Sequence, residues 1–270
     1  MAILKRWTGS VWTPARRVLY WNGSAWKEKN YKYWDGSAWR IAVTKEGWVD
    51  DYVSGLWHLN EQSGTSSADA TGKGHTMNWG QYAEAERPVW AAGGKPGWGY
   101  LAFDVKHANV AYHSDFDFDT GPFTVEAWIS GGYTRPQNEV VIGRFSTALQ
   151  WWLGYSANTG YPMWAMRNEA GIYKEILWAS NIHTEDWHYV VGVKDATYMR
   201  LYIDGTERAN DTHPGGSYNH GSANVNIGWF EGTGHAWDYY ATACNMGELR
   251  ISKGIARTSQ EILDVWNANA

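Results

Sequence analysis

The chain has 270 residues, a formal net charge of −5, 20 Trp, 17 Tyr, 30 Gly and one cysteine. Rings and glycines in that proportion exclude an ordinary α/β enzyme core and suit a β-rich recognition protein, whose flat rings pack on sheets or stack on ligands. The lone Cys244 excludes an internal disulfide framework. The opening MAILKRWTGS lacks the apolar centre of a signal peptide, and no run is long enough to cross a bilayer. The expectation is a soluble product made without general secretion, with no membrane partner.

The first distinct feature is a repeated phrase, YWNGSAWK at residues 20–27 and YWDGSAWR at residues 33–40. Asn22-Gly23 and Asp35-Gly36 are hairpin-turn signals, because both central residues of such a turn need positive φ. A two-residue turn makes Trp21 and Trp26 a diagonal pair, and a four-residue loop sets them face to face. In either register they share a face, as Trp34 and Trp39 do. WTGSVW, from Trp7 to Trp12, is a degenerate third copy. Single hairpins are marginal in water, so residues 1–45 are expected to pack on something else. They carry nine Lys/Arg against two Asp/Glu, a net +7, which leaves −12 for residues 46–270. A basic arm on an acidic body fits docking on an acidic protein surface. The arm holds no recognised nucleic-acid module, so no nucleic-acid partner is expected.

From about Trp48 strand-like runs recur between turn signals: GLWHL, YLAFD, NVAYH, FTVEAWIS, EVVIGRF, YPMWAMR, WHYVVGV, MRLYIDG, NVNIGW and GELRIS. In FTVEAWIS, Phe123, Val125, Ala127 and Ile129 oppose Thr124, Glu126, Trp128 and Ser130. In MRLYID, Met199, Leu201 and Ile203 oppose Arg200, Tyr202 and Asp204. Period two over many short segments predicts antiparallel sheets in an all-β sandwich or jelly roll. Asp204-Gly205 predicts a hairpin turn. Thr258-Ser259-Gln260-Glu261 is a capping-box sequence that opens a helix bearing Ile262, Leu263, Val265 and Trp266. That helix is expected to cap one end of the sandwich.

These phrases carry a resemblance. GLWHLNEQSGTSSADATGKGHT resembles the opening of laminin-G-like, concanavalin A-like lectin domains. FTVEAWIS resembles their central strand, WHYVVGVKDATYMRLYIDGTERA their long hairpin, and NVNIGWFEGTG with GELRISKGIARTSQEI their closing strands and terminal helix. The resemblance spans residues 48–267 and implies a two-sheet jelly roll of about fourteen strands. The Trp-Asn/Asp-Gly-Ser-Ala-Trp phrase is similar to repeats in minor tail and adhesion proteins of phages that infect actinobacteria. It implies a virion protein whose arm, through Trp7, Trp12, Trp21, Trp26, Trp34 and Trp39, attaches to other virion proteins.

Catalysis finds little support. Glycosidases on this fold place carboxylates at alternate positions of one strand, and no Glu-x-Asp-x-x-Glu strand exists here. DFDFD, Asp115 to Asp119, has the alternation but reads as a solvated loop. His183 and His188 flank a strand start with no third metal ligand in sequence. The resemblance implies a calcium site instead, at Asn60, Asp69 and Glu248, since first and last strands should be neighbours. The alternative for Asp69 is an Asx turn. Sugar binding would use exposed rings beside polar groups. Trp229, His235, Trp237 and Tyr240 form the densest candidate, with Trp164 and Trp178 behind; the alternative is that these rings are core.

The expected function is a non-enzymatic virion protein, a minor tail or decoration protein. Residues 1–45 are its attaching module, and the jelly roll of residues 46–270 adheres to host-surface glycan. Apolar hairpin faces left uncovered in a monomer point to a homo-oligomer, a trimer in the first instance. A purely structural decoration protein and a glycan-degrading enzyme are the alternatives.

Overall fold

The structure, a computed structural model, describes residues 52–95, 99–145, 150–219, 221–230 and 241–269, together with the backbone of six short strands between residues 5 and 42. Those six form three separate two-stranded sheets: β1 (Lys5–Trp7) with β2 (Trp12–Pro14), β3 (Leu19–Trp21) with β4 (Trp26–Glu28), and β5 (Tyr31–Trp34) with β6 (Trp39–Ala42). Trp7 is the register partner of Trp12, Trp21 of Trp26 and Trp34 of Trp39, so each loop is the four-residue kind.

The body continues with β7 (Val53–Trp57), β8 (Ser66–Ser67), β9 (Met77–Asn78), β10 (Val89–Ala92), β11 (Gly99–Ala102), β12 (Ala108–Val110), β13 (Phe123–Ser130) and β14 (Glu139–Phe145). There follow β15 (Gln150–Tyr155), β16 (Pro162–Arg167), β17 (Tyr173–Leu177), β18 (His188–Lys194), β19 (Tyr198–Ile203), β20 (Thr206–Thr212), β21 (Val225–Ile227), β22 (Asn245–Lys253) and the helix α1 (Ser259–Asn269). They build two antiparallel sheets. The first runs β10-β11-β22-β13-β18-β19-β20, with β7 also on β22; the second runs β17-β16-β15-β14-β21-β12-β9-β8. The first and last strands are neighbours, as expected: Leu249 pairs with Trp57 and Ile251 with Gly55.

The alternating residues fill the space between the sheets. Phe123, Val125, Ala127 and Ile129 meet Trp151, Leu153, Trp164 and Met166 there, with Met199, Leu201 and Ile203. Asp204 (φ 54°) and Gly205 (φ 77°) make the turn between β19 and β20, both at the positive φ that a two-residue hairpin demands. The capping box forms reciprocally: the Thr258 N–H donates to Glu261 Oε2 at 2.8 Å, and the Glu261 N–H donates to Thr258 Oγ1 at 3.2 Å. The helix, however, does not cap an end. Ile262 and Val265 lie on the outer face of the first sheet, against Trp128, Tyr189, Val191, Val193 and Tyr202. The outward side chains Tyr189, Val191 and Val193 of β18 and Trp128 of β13 are also apolar, so that face needs a cover, and the amphipathic helix supplies it. DFDFD also departs from expectation. Ser114–Phe116 form one 3-10 turn, and Phe116 and Phe118 are buried between the aspartates.

Candidate functional site

The outer face of the second sheet carries one row of residues across seven strands. Register partners give it directly: Glu175 on β17, Ala165 on β16, Trp152 on β15, Gly143 on β14, Asn226 on β21, Asn109 on β12 and Asn78 on β9. Five of the seven have core residues on both sides, such as Val225 and Ile227 around Asn226, and Gly143 and Glu175 have one each, Ile142 and Ile176, so the pleat sends this row outward. Six inter-strand spacings of about 4.8 Å make the row roughly 29 Å long. Its middle is covered: a Cβ on Gly143 would sit 2.5 Å from Trp152 Cβ and 3.0 Å from Phe230 Cε1, so the Phe230 ring lies over that glycine.

Rings gather at one end of the row. Tyr173 stacks on Trp152, with centroids 5.6 Å apart and planes at 24°, and Phe230 stands edge-on to Trp152 at 5.5 Å. Tyr173 is 40% exposed, and its hydroxyl donates to the Glu175 carboxylate. At the other end are amides. Asn109 Nδ2 donates to Tyr82 Oη at 2.8 Å, and Asn78 Oδ1 accepts the Gly80 N–H at 2.8 Å. Two buried atoms of the row have no hydrogen-bond partner among the described residues: Trp152 Nε1, a donor, and Asn226 Oδ1, an acceptor. Trp152 is 4% exposed and Asn226 1%. An unpaired polar atom so buried costs about 1–3 kcal/mol, which a bound hydroxyl or water recovers. An exposed flat ring, amides and a carboxylate are the chemistry that recognises a polyol.

The residues expected from sequence lie elsewhere. Trp164 and Trp229 are wholly buried and present no ring face to solvent. Trp164 sits between the sheets, and Trp229 stacks on His107 at 4.5 Å while its Nε1 donates to the Ala108 carbonyl. Burial among rings makes both of them core rather than sugar platforms. Trp178 is half-buried, with the Arg208 guanidinium 4.4 Å from its ring centroid. His235, Trp237 and Tyr240 lie outside the described residues, as do the side chains of Trp7, Trp12, Trp21, Trp26, Trp34 and Trp39.

The three residues expected to share calcium serve different networks. Asn60 is exposed. Asp69 Oδ1 accepts the N–H groups of Leu56 (3.3 Å) and Thr71 (3.0 Å), while Oδ2 accepts Thr71 Oγ1–H (2.6 Å) and the His75 N–H (3.2 Å). Glu248 accepts from Arg250 Nη2 through Oε1, and its Oε2 lies 2.7 Å from His58 Nδ1.

The row itself had a faint mark in the sequence. Met77-Asn78, Ala108-Asn109-Val110 and Val225-Asn226-Ile227 each put one amide among apolar residues.

Sheets and topology define a concanavalin A-like sandwich, and the comparisons agree. The Laminin_G_3 family, described as the concanavalin A-like lectin/glucanases superfamily, matches residues 104–263. The chain belongs to that family. Among solved structures it is similar to the binding domain of Paraclostridial mosquitocidal protein 1 (TM-score 0.65, 11% identity, covering 82% of this chain and 53% of that one). It is also similar to the botulinum neurotoxin serotype D ligand-binding domain in complex with N-acetylneuraminic acid (TM-score 0.60, 13% identity, 81% and 52%). A third is domain 4 of AbnA, a GH43 extracellular arabinanase from Geobacillus stearothermophilus, in complex with arabinotriose (TM-score 0.60, 16% identity, 79% and 97%). The chain spans about half the length of the toxin domains it resembles. No curated protein sequence matches it. At these identities the likeness carries the fold.

Proposed function

We propose that the protein is a non-catalytic glycan-binding protein of a phage particle, and that its glycan lies along the Glu175–Asn78 row. The observation that carries the glycan reading is the exposed Tyr173 ring stacked on Trp152, with the Glu175 carboxylate and the Asn109 and Asn78 amides on the same row. The neurotoxin domain with N-acetylneuraminic acid and the arabinanase domain with arabinotriose support a sugar as ligand class. The non-catalytic reading is supported by the buried Glu126–Glu248 pair described below, which Arg250 clamps. The particle, attachment through residues 1–45 and a homotrimer rest on the Trp-hairpin phrase, the +7 charge of the arm and its small two-stranded sheets. Calcium at Asn60, Asp69 and Glu248 remains part of this proposal, and the Asp69 variant discussed below tests it.

The test is calorimetric titration of the full chain with a panel holding sialylated and arabino-oligosaccharides. Tyr173→Ala, Glu175→Ala and Asn109→Ala remove groups at the ends of the row. Each is expected to weaken binding about tenfold, near 1.4 kcal/mol, without moving the melting temperature. Equal affinity in all three variants, or release of reducing sugar on long incubation, defeats the reading. Light scattering tests the arm: a trimer for the full chain and a monomer for residues 46–270 are expected.

A further inference from the structure

His75 converges on His113 and Asp115 although it is distant from both in sequence. One donor atom from each lies within 4.8 Å of the other two. His75 Nε2 is 2.8 Å from Asp115 Oδ2, and His113 Nδ1 is 3.5 Å from the same oxygen. The two imidazole centroids are 4.5 Å apart. From these distances we propose a binding site for a borderline divalent transition metal, with Zn²⁺ as its natural occupant.

The dimensions match such an ion. Zn–N and Zn–O bonds of about 2.0–2.2 Å in a tetrahedron put neighbouring donors roughly 3.3–3.6 Å apart. The observed 3.5 Å falls within that edge and 2.8 Å lies short of it, so the ion would need only to part His75 from Asp115 by about 0.5 Å. Two imidazoles and one carboxylate suit zinc and its neighbours, whereas Ca²⁺ asks for six to eight oxygens. The site is therefore separate in chemistry from the calcium expected at Asn60, Asp69 and Glu248.

The surroundings hold the donors in place. The His75 backbone is fixed on both sides: its N–H donates to Asp69 Oδ2 at 3.2 Å, and its carbonyl accepts Trp57 Nε1–H at 2.7 Å. Its ring lies 5.0 Å from Phe116, centroid to centroid. The Asp115 carbonyl accepts Ser54 Oγ–H at 2.9 Å, which pins the 3-10 turn that presents the carboxylate. Two nearby lysines are tethered to carbonyls, Lys73 Nζ donating to Val53 at 2.8 Å and Lys253 Nζ to Ser114 at 2.9 Å.

His113 is the adjustable ligand. Its side chain is 51% exposed, and its Nδ1 accepts the Asp115 N–H at 3.2 Å, a lone pair the metal would take over. Three protein donors leave one coordination position, on the exposed His113 side, for water. A metal here joins the segment between β8 and β9 to the turn after β12. It staples two loops in a domain whose only cysteine is free.

The test uses the untagged full chain, stripped with chelator and titrated with Zn²⁺ by calorimetry, and with Co²⁺ followed by its visible d–d absorption. One metal per chain and a raised melting temperature are expected, because the metal binds only the folded state. His113→Ala and Asp115→Asn should each weaken binding at least about tenfold, and His213→Ala, outside the cluster, should not. Millimolar Ca²⁺ should not compete. No binding, binding unchanged in the two cluster variants, or displacement by Ca²⁺ each overturns the site.

Discussion

Arg250 Nη1 lies 3.0 Å from Glu126 Oε2, and neither side chain is more than 3% exposed. The two are register partners on β22 and β13. The same guanidinium donates through Nη2 to Glu248, while Tyr189 donates its hydroxyl to Glu126. Two carboxylates on neighbouring strands could suggest a glycosidase pair, but these share one buried cation and are held by it. Burial alone would lower the Arg250 pKa; the facing charges of Glu126 and Glu248 outweigh it and raise it. Arg250→Met leaves two buried carboxylates without their shared cation and should cost about 3–5 kcal/mol in urea denaturation at pH 7. Adding Glu126→Gln and Glu248→Gln to that variant should restore a large part of the loss.

Trp164 belongs to the core, and the residue behind it makes a sharp test. A Cβ on Gly192 would sit 2.5 Å from Trp164 Cδ2 and 2.6 Å from Cε3. The indole is wholly buried and has no free direction to retreat. Gly192→Ala should therefore destabilise by about 1–3 kcal/mol, through overpacking. Thermal unfolding of the variant measures it. A neutral result would mean the indole can move.

The strands were legible because each writes its own alternation. FTVEAWIS and EVVIGRF coincide with β13 and β14 to the residue. The helix was legible from Thr258 and Glu261, but its seat was not, since that depends on the outward faces of β13 and β18 together. Trp128, stacked on both Tyr189 and Trp266, was the clue. The candidate row was hidden for a topological reason. Its seven strands run β17-β16-β15-β14-β21-β12-β9, so its members are brought together from residues 78 to 226. Trp229 misled because a ring-rich stretch reads alike whether it faces solvent or, as here, His107 and Tyr82.

Asp69 holds four donors from β7 and its own loop. Asp69→Ala removes an ionised acceptor and leaves the Leu56 and His75 N–H groups without it. A loss of about 2–4 kcal/mol is expected from hydrogen bonds to a charged group. Measured by urea denaturation in EDTA and again in calcium, the loss should be the same if Asp69 is a loop anchor alone. A larger loss in calcium would assign part of its stabilisation to the ion.

Glu139 opens β14 with its carboxyl buried, 1% exposed. Its Oε2 accepts Thr242 Oγ1–H at 3.1 Å and the Ala243 N–H at 3.3 Å. Burial pushes its pKa up to about 7, and those bonds and Arg135 only partly pull it back. The unfolded chain titrates this group near the ordinary value of about 4.3. Between those values the folded protein holds a proton that the unfolded chain has released. The favourable contribution is complete below about pH 4 and is lost as pH rises through 7. The gap of roughly 2.5 units corresponds to about 3 kcal/mol at 1.36 kcal/mol per unit. Glu139→Gln keeps a carbonyl oxygen for Thr242 and Ala243 and cannot ionise. Urea denaturation of both proteins should show the variant more stable by about 1–3 kcal/mol at pH 8. The difference should shrink steadily toward pH 5, because there the native side chain is itself neutral when folded. A difference independent of pH would mean that Glu139 titrates alike in the folded and unfolded chain.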